Sequence, residues 1–176
     1  AEDFLRVIDQ SVTPHVDPHK VLIIISGGEP LMRTDLAQVG AALKQRGYPW
    51  GMVTNGLAMT EKRFKELMAS GLRSMAISFD GMKDNHNWIR QHPLAFDGAT
   101  RAIKLASATP SLTWDVVTCV NQRTINQLDE MREYLWSIGV RNWRLITIAP
   151  MGRAAENPEL LLTSEQTRYL LDYIRD

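Results

Sequence analysis

Apolar and polar positions fall into two alternating patterns along the chain. Five short runs rich in β-branched and apolar residues occupy positions 21–26, 50–54, 74–79, 113–120 and 143–148. They are nearly continuous rather than alternating, as expected of strands covered on both faces. Between them apolar residues recur every three or four positions, the spacing of an amphipathic helix. Leu36, Val39 and Leu43 follow Thr34 and stop at Gly47, and Phe64, Leu67 and Met68 follow Thr60 and stop at Gly71. Ala99, Ala102, Ile103 and Ala106 stop before Pro110, while Leu128, Met131, Leu135 and Ile138 follow Thr124 and stop at Gly139. A last helix is predicted from Thr163, with Gln166 at capping-box spacing. A hydroxyl at the start and a glycine past the end punctuate helices because each satisfies backbone groups the helix leaves unpaired.

This βα alternation predicts an α/β fold of parallel strands joined by helical crossovers, with a leading helix carrying Phe4, Leu5, Val7 and Ile8. An open doubly wound sheet and part of a (β/α) barrel both fit, and both gather ligands at the C-terminal ends of their strands. The chain opens on Ala1, already helical in pattern, and runs Leu170, Leu171 and Ile174 to Asp176 without a stop signal. It therefore reads as one domain, residues 1–176, excerpted from a longer protein.

Composition narrows the possible partners. Across 176 residues, 20 Lys plus Arg balance 20 Asp plus Glu, so no basic excess draws the chain to nucleic acid or an anionic membrane. No apolar stretch approaches the roughly 20 residues that span a bilayer, and no signal peptide leads the chain, so a cytoplasmic location is expected. Cys119 is the single cysteine, which excludes an intrachain disulfide and any multi-thiolate metal site built from this chain alone.

The strand ends carry the candidate chemistry. After the first run stand Ser26, Gly27, Gly28, Glu29 and Pro30. Two glycines let a ligand approach bare backbone, and carbonyls with a carboxylate suit an ammonium better than a phosphate, although Gly-Gly also marks ordinary turns. The second run ends in Thr54, Asn55 and Gly56, and the third in Ser78, Phe79, Asp80 and Gly81, where a hydroxyl and a carboxylate two apart suit ribose hydroxyls or an α-carboxylate. An Asp-Gly turn is the plainer alternative. His86, Trp88 and Arg90 fall in a polar segment before the next helix, with His86 expected at the surface. Arg90 is able to grip a carboxylate bidentately. The fourth run supplies Cys119, read as an inert buried thiol, and Asn121. The fifth leads through Ile148, Ala149 and Pro150, an apolar ledge for a flat purine, into a cationic turn at Arg153. Met151 and the other methionines are expected in the core, and Trp88, Trp114 and Trp143 in the core or at its rim.

The order of these elements is more telling than any one of them. Ser-Gly-Gly-Glu-Pro-Leu, Thr-Asn-Gly, Ser-Phe-Asp-Gly, His86-Asn87-Trp88-Ile89-Arg90 and Pro150-Met151-Gly152-Arg153 resemble, over nearly the whole chain, the radical S-adenosylmethionine (radical SAM) family. The likeness is greatest to members with a C-terminal cluster-binding (SPASM) domain that modify peptides or build cofactors. The resemblance implies a partial (β/α)6 barrel, here truncated at its N-terminal strand. It implies that Gly27, Gly28 and Glu29, with Ser26 alongside, receive the methionyl ammonium. Ser78 and Arg90 would take the methionyl carboxylate and ribose, Asp80 would help at the ribose, and Ile148, Ala149 and Pro150 would support the adenine. Pro30, Asn55 and Asn121 complete the expected cofactor-binding set.

The resemblance also implies a [4Fe-4S] cluster on a Cys-x3-Cys-x2-Cys loop before the leading helix, and that loop is absent here. The longer protein would cleave S-adenosylmethionine to a hydrogen-abstracting 5′-deoxyadenosyl radical, with an electron donor and a peptide or small-molecule precursor as partners. The chain itself would be inactive. A cluster-free barrel enzyme acting on a phosphorylated metabolite and a non-catalytic nucleotide-binding domain are the competing readings.

Overall fold

The computed structural model describes residues 2–175; Ala1, Asp176 and the side chain of Arg153, with its expected cationic turn, lie outside the described residues. Five strands, β1 (Ile23–Ile25), β2 (Trp50–Thr54), β3 (Leu72–Ser78), β4 (Thr113–Val120) and β5 (Trp143–Thr147), form one sheet in the order β1-β2-β3-β4-β5. Every neighbouring pair is parallel. A doubly wound sheet reverses its strand order partway; strictly sequential order with right-handed crossovers instead places the helices on one face and curves the sheet as a barrel segment. The fold is thus α/β and a partial barrel.

The helices are α1 (Glu2–Val7), α2 (Leu36–Gln45), α3 (Glu61–Ala69), α4 (Lys83–Arg90), α5 (Ala95–Ser107), α6 (Leu128–Ser137) and α7 (Ser164–Arg175). Thr60 caps α3 by accepting the Arg63 N–H. Thr163 and Gln166 form the reciprocal capping box, each side chain accepting the other's backbone N–H. The other two threonine signals act differently: Asp35 occupies the cap position of α2, and Thr124 accepts the Asn121 N–H in a turn before α6.

The core lies between the sheet and these helices. Trp50, Met52, Met75, Ile77 and Val116 point from the strands onto Leu36, Leu43, Leu67, Ile103 and Met131. The expectation of strands covered on both faces is corrected here. Leu22, Ile24 and Ile146 are 47%, 45% and 43% exposed, because no helix among the described residues covers the opposite face. Gly51, Ser74 and Ala76 line the centre of that face, and Arg144 pairs with Asp115 across β4 and β5.

One close approach on the helical side sets the position of a strand end. A Cβ on Gly98 of α5 would stand 2.6 Å from the Leu57 Cα, just past β2. Arg101, one turn later, donates to the carbonyls of Leu57 and Met59. Gly98→Ala should therefore cost about 1 to 3 kcal/mol through forced backbone movement, more than the helix preference of alanine returns. Urea unfolding measures this, and a stabilised variant would contradict the packing argument.

Candidate functional site

The C-terminal ends of the five strands converge on one side of the sheet. Glu29, just past β1, ties two of them together. Its Oε1 accepts the Leu31 N–H at 3.0 Å and the Thr54 hydroxyl at 2.6 Å, and its Oε2 accepts the Asn55 N–H at 2.7 Å. Pro30, buried, starts a short 3-10 turn in which Glu29 caps the Leu31 N–H. Ahead of it, Gly27 and Gly28 take left-handed φ values of +89° and +54°, and a Cβ built on either would meet nothing within 4 Å. This is bare backbone facing open space, a shape that suits a ligand approaching the main chain. Ser26, Gly27 and Gly28 are all exposed.

Asn55 spends its amide oxygen on the Leu57 N–H, holding the turn after β2, and lines a cavity of about 700 Å³ shared with Trp88, Ile89, Arg90, Gln91 and Met151. Ser78 ends β3 half-buried, and its hydroxyl has no hydrogen-bond partner among the described residues. Asp80 differs sharply from it. The carboxylate is 1% exposed; one oxygen accepts the Cys119 N–H at 2.8 Å, and the other accepts Arg90 Nε at 2.7 Å and pairs with Nη2 at 2.5 Å.

The segment carrying Arg90 is the helix α4 rather than a loop, and His86 is fully buried rather than at the surface. Few apolar residues mark this helix; instead, polar ones are paired off inside the fold. Asn85 donates to Gln127, and Asn87 donates to the Pro93 carbonyl and accepts the Phe96 N–H. His86 Nδ1 accepts the Asp80 N–H at 2.9 Å, so the ring is neutral with its proton on Nε2, stacked on Phe79. Nε2 approaches the Ala95 backbone without a well-formed hydrogen bond. Burial lowers the His86 pKa to about 4, against the raising effect of the Asp80 carboxylate.

Cys119 is half-buried rather than fully buried, and burial pushes its thiol up to about 11, with Asp80 adding to the shift. Asn121 is wholly buried in its own turn: Oδ1 accepts the Arg123 N–H and Nδ2 donates to the Cys119 carbonyl. Its neighbour Gln122, which sequence pattern did not single out, staples the segment after β5 by donating to the carbonyls of Pro158 and Leu161. Ile148 is half-buried on that segment, with Ala149 and Pro150 exposed, and Met151 is 75% exposed rather than in the core. Met32 is likewise outside the core at 74% exposed, whereas Met59 is fully buried although it too stands on an irregular segment, so what packs over the side chain decides its burial. Arg123 stacks on the Trp88 ring at 4.1 Å beside the cavity, another pairing no local spacing announces.

The sequence pattern of the Radical SAM superfamily matches residues 4–135, which include β1 to β4 and the Gly27, Ser78 and Arg90 positions. The chain belongs to the radical SAM superfamily. It is 26% identical over 142 residues to an AdoMet-dependent heme synthase of Methanosarcina barkeri, covering 80% of this chain and 40% of that protein. It is 24% identical over 143 residues to a PqqA peptide cyclase of Rhizobium meliloti, covering 81% and 38%. In three dimensions it superimposes on anSMEcpe with bound AdoMet and the Kp18Cys peptide at a TM-score of 0.76, 17% identity and coverage of 94% and 48%. SuiB of Streptococcus suis bound to S-adenosylmethionine gives 0.65, 16%, and coverage of 99% and 40%. The chain thus spans about two fifths of the length of the curated relatives it matches.

The donor set does not fit an iron–sulfur cluster. Such a cluster takes several thiolates, whereas this radical SAM chain has one cysteine, whose thiol is pushed up by burial. Among the described residues no group of three or more His, Cys, Asp or Glu is placed to hold a metal. No helix of the described residues is long and apolar enough to cross a membrane.

Proposed function

We propose that this chain forms the S-adenosylmethionine-binding core of a radical SAM enzyme that modifies a peptide or builds a cofactor. The observation that carries the reading is the open glycine backbone after β1, held by an anchored Glu29, on the same sheet end as the Arg90 guanidinium and the Ser78 hydroxyl, which has no partner among the described residues. The names of the relatives, a heme synthase and a peptide cyclase, support the two substrate classes.

In this reading, Gly27 and Gly28 turn their carbonyls to the methionyl ammonium, beside Ser26. Glu29 adds negative charge there while its hydrogen bonds to Thr54 and Asn55 keep the glycine turn in register with β2. Ser78 and Arg90 bind the carboxylate and the nearby ribose, and Ile148, Ala149 and Pro150 back the adenine. When bound and reductively cleaved, S-adenosylmethionine supplies a 5′-deoxyadenosyl radical that abstracts hydrogen. The thiolates of a [4Fe-4S] cluster and an electron donor have to come from outside these residues. By itself the chain is expected to bind S-adenosylmethionine weakly and to leave it uncleaved.

The binding half is testable on the chain as it stands. Titration of S-adenosylmethionine, followed by amide chemical shifts, should perturb Gly27, Gly28 and Ser78, and the double substitution Ser78→Ala with Arg90→Ala should weaken binding roughly tenfold to a hundredfold. Undiminished binding in the double variant would place the pocket elsewhere.

A further inference from the structure

We propose that Asp80 is a positioning residue: it acts on a ligand carboxylate through Arg90 and does not itself touch the ligand. The inference rests on the reading of Arg90 as the carboxylate-binding residue. Asp80 is 1% exposed and both oxygens are engaged, one by the Cys119 N–H and the other by Arg90 Nε and Nη2. A buried carboxylate held by two hydrogen bonds and an ion pair inside the fold has no approach to a ribose hydroxyl on the open side.

What Asp80 does control is the plane of the guanidinium. A guanidinium has five N–H donors in a fixed fork, and with Nε donating to Asp80 and Nη2 held against the same oxygen as an ion pair, both Nη1 protons stay free. Nη1 has no hydrogen-bond partner among the described residues, and Arg90 lines the cavity of about 700 Å³ with its side chain 30% exposed. The free edge therefore serves an incoming carboxylate. Asp80 is itself fastened on two sides, because the Cys119 N–H fixes its carboxylate and His86 Nδ1 receives its backbone N–H. The strand end of β4, the helix α4 and the turn after β3 thus hold one arginine in one orientation. A loose arginine in the same place would lose side-chain freedom on binding, whereas this one has lost it on folding.

Two ligands separate this role from direct contact: S-adenosylmethionine, and its decarboxylated analogue, which keeps the nucleoside, sulfonium and ammonium. Arg90→Ala should remove the preference for the carboxylate-bearing ligand. Asp80→Asn keeps the shape and an acceptor for the Cys119 N–H but turns an amide on the guanidinium. It should weaken S-adenosylmethionine about tenfold and leave the decarboxylated analogue within about twofold. Equal weakening of both ligands by Asp80→Asn would mean direct ribose contact or a disturbed fold, and overturns the proposal. So does an Asp80→Asn chain that binds both ligands normally while Arg90→Ala loses the preference, an outcome that leaves the reading of Arg90 intact. If Arg90→Ala keeps the preference, Arg90 is not the carboxylate-binding residue and both readings fall. A measurement on the unsubstituted chain is independent of how the variants fold. The Arg90 Nε–H should give a resolved, slowly exchanging NMR resonance at neutral pH, and exchange as fast as a solvated arginine overturns the fastening.

Discussion

Truncating Trp50 to alanine should cost about 3 to 5 kcal/mol, a large share of the 5 to 15 kcal/mol by which domains are ordinarily stable. The indole is wholly buried at the start of β2, and its Nε1–H donates to the Ser70 carbonyl at the end of α3 at 3.2 Å. On its other side it fills the space above Gly40 of α2, where a Cβ would come within 2.4 Å of the ring. One side chain thus joins β2 to the two helices that flank it. Removal leaves a cavity that helix and sheet backbones cannot close, together with an unpartnered carbonyl. Urea unfolding reads the loss, and a change below about 1 kcal/mol would show that these elements find another way to pack.

The second large effect is a dependence on pH set by His86. Its pKa in the folded chain, about 4, lies below the ordinary 6.5, so the unfolded chain takes up the proton first as the pH falls. The stability from keeping this ring neutral is whole above pH 6.5, erodes between 6.5 and 4, and is gone below 4, a loss of about 3 kcal/mol. Asp80 and Arg90 are the charged groups whose effects oppose each other at the ring, the first raising and the second lowering its pKa. His86→Gln keeps an acceptor for the Asp80 N–H and does not titrate. It should be less stable than the parent near pH 7, with the gap closing or reversing near pH 4. Parallel pH profiles for the two chains would show that His86 is protonated without cost.

The strands were legible because β-branched and apolar residues cluster in short runs bounded by turn residues, which local composition reports directly, even though one face of the sheet stays open. All five stand where the runs stand, with β1 shortened to three residues and β3 begun two residues earlier. The capping box at Thr163 and Gln166 was legible for a similar reason, since both partners lie within one turn. The turn after β1 was legible as far as its glycines, whose positive φ values follow from the absence of a Cβ.

Other features depend on contacts between distant parts of the chain. The helix α4 buries polar side chains whose partners stand up to 42 positions away, as with Asn85 and Gln127, so no apolar stripe marks it. Asp80 and Arg90, ten residues apart, and Cys119, 39 residues from Asp80, become one hydrogen-bonded unit only when β3, β4 and α4 meet. By itself the sequence determined the alternation of strands and helices and the chemistry available at each strand end, because periodicity, capping and backbone freedom are local properties. Only the tertiary structure decided that one face of the sheet stays open, that His86 is buried and neutral, and that Asp80 meets an arginine. Burial and pairing are properties of the assembled layers, and the energy that sets them comes from neighbours that no local window contains.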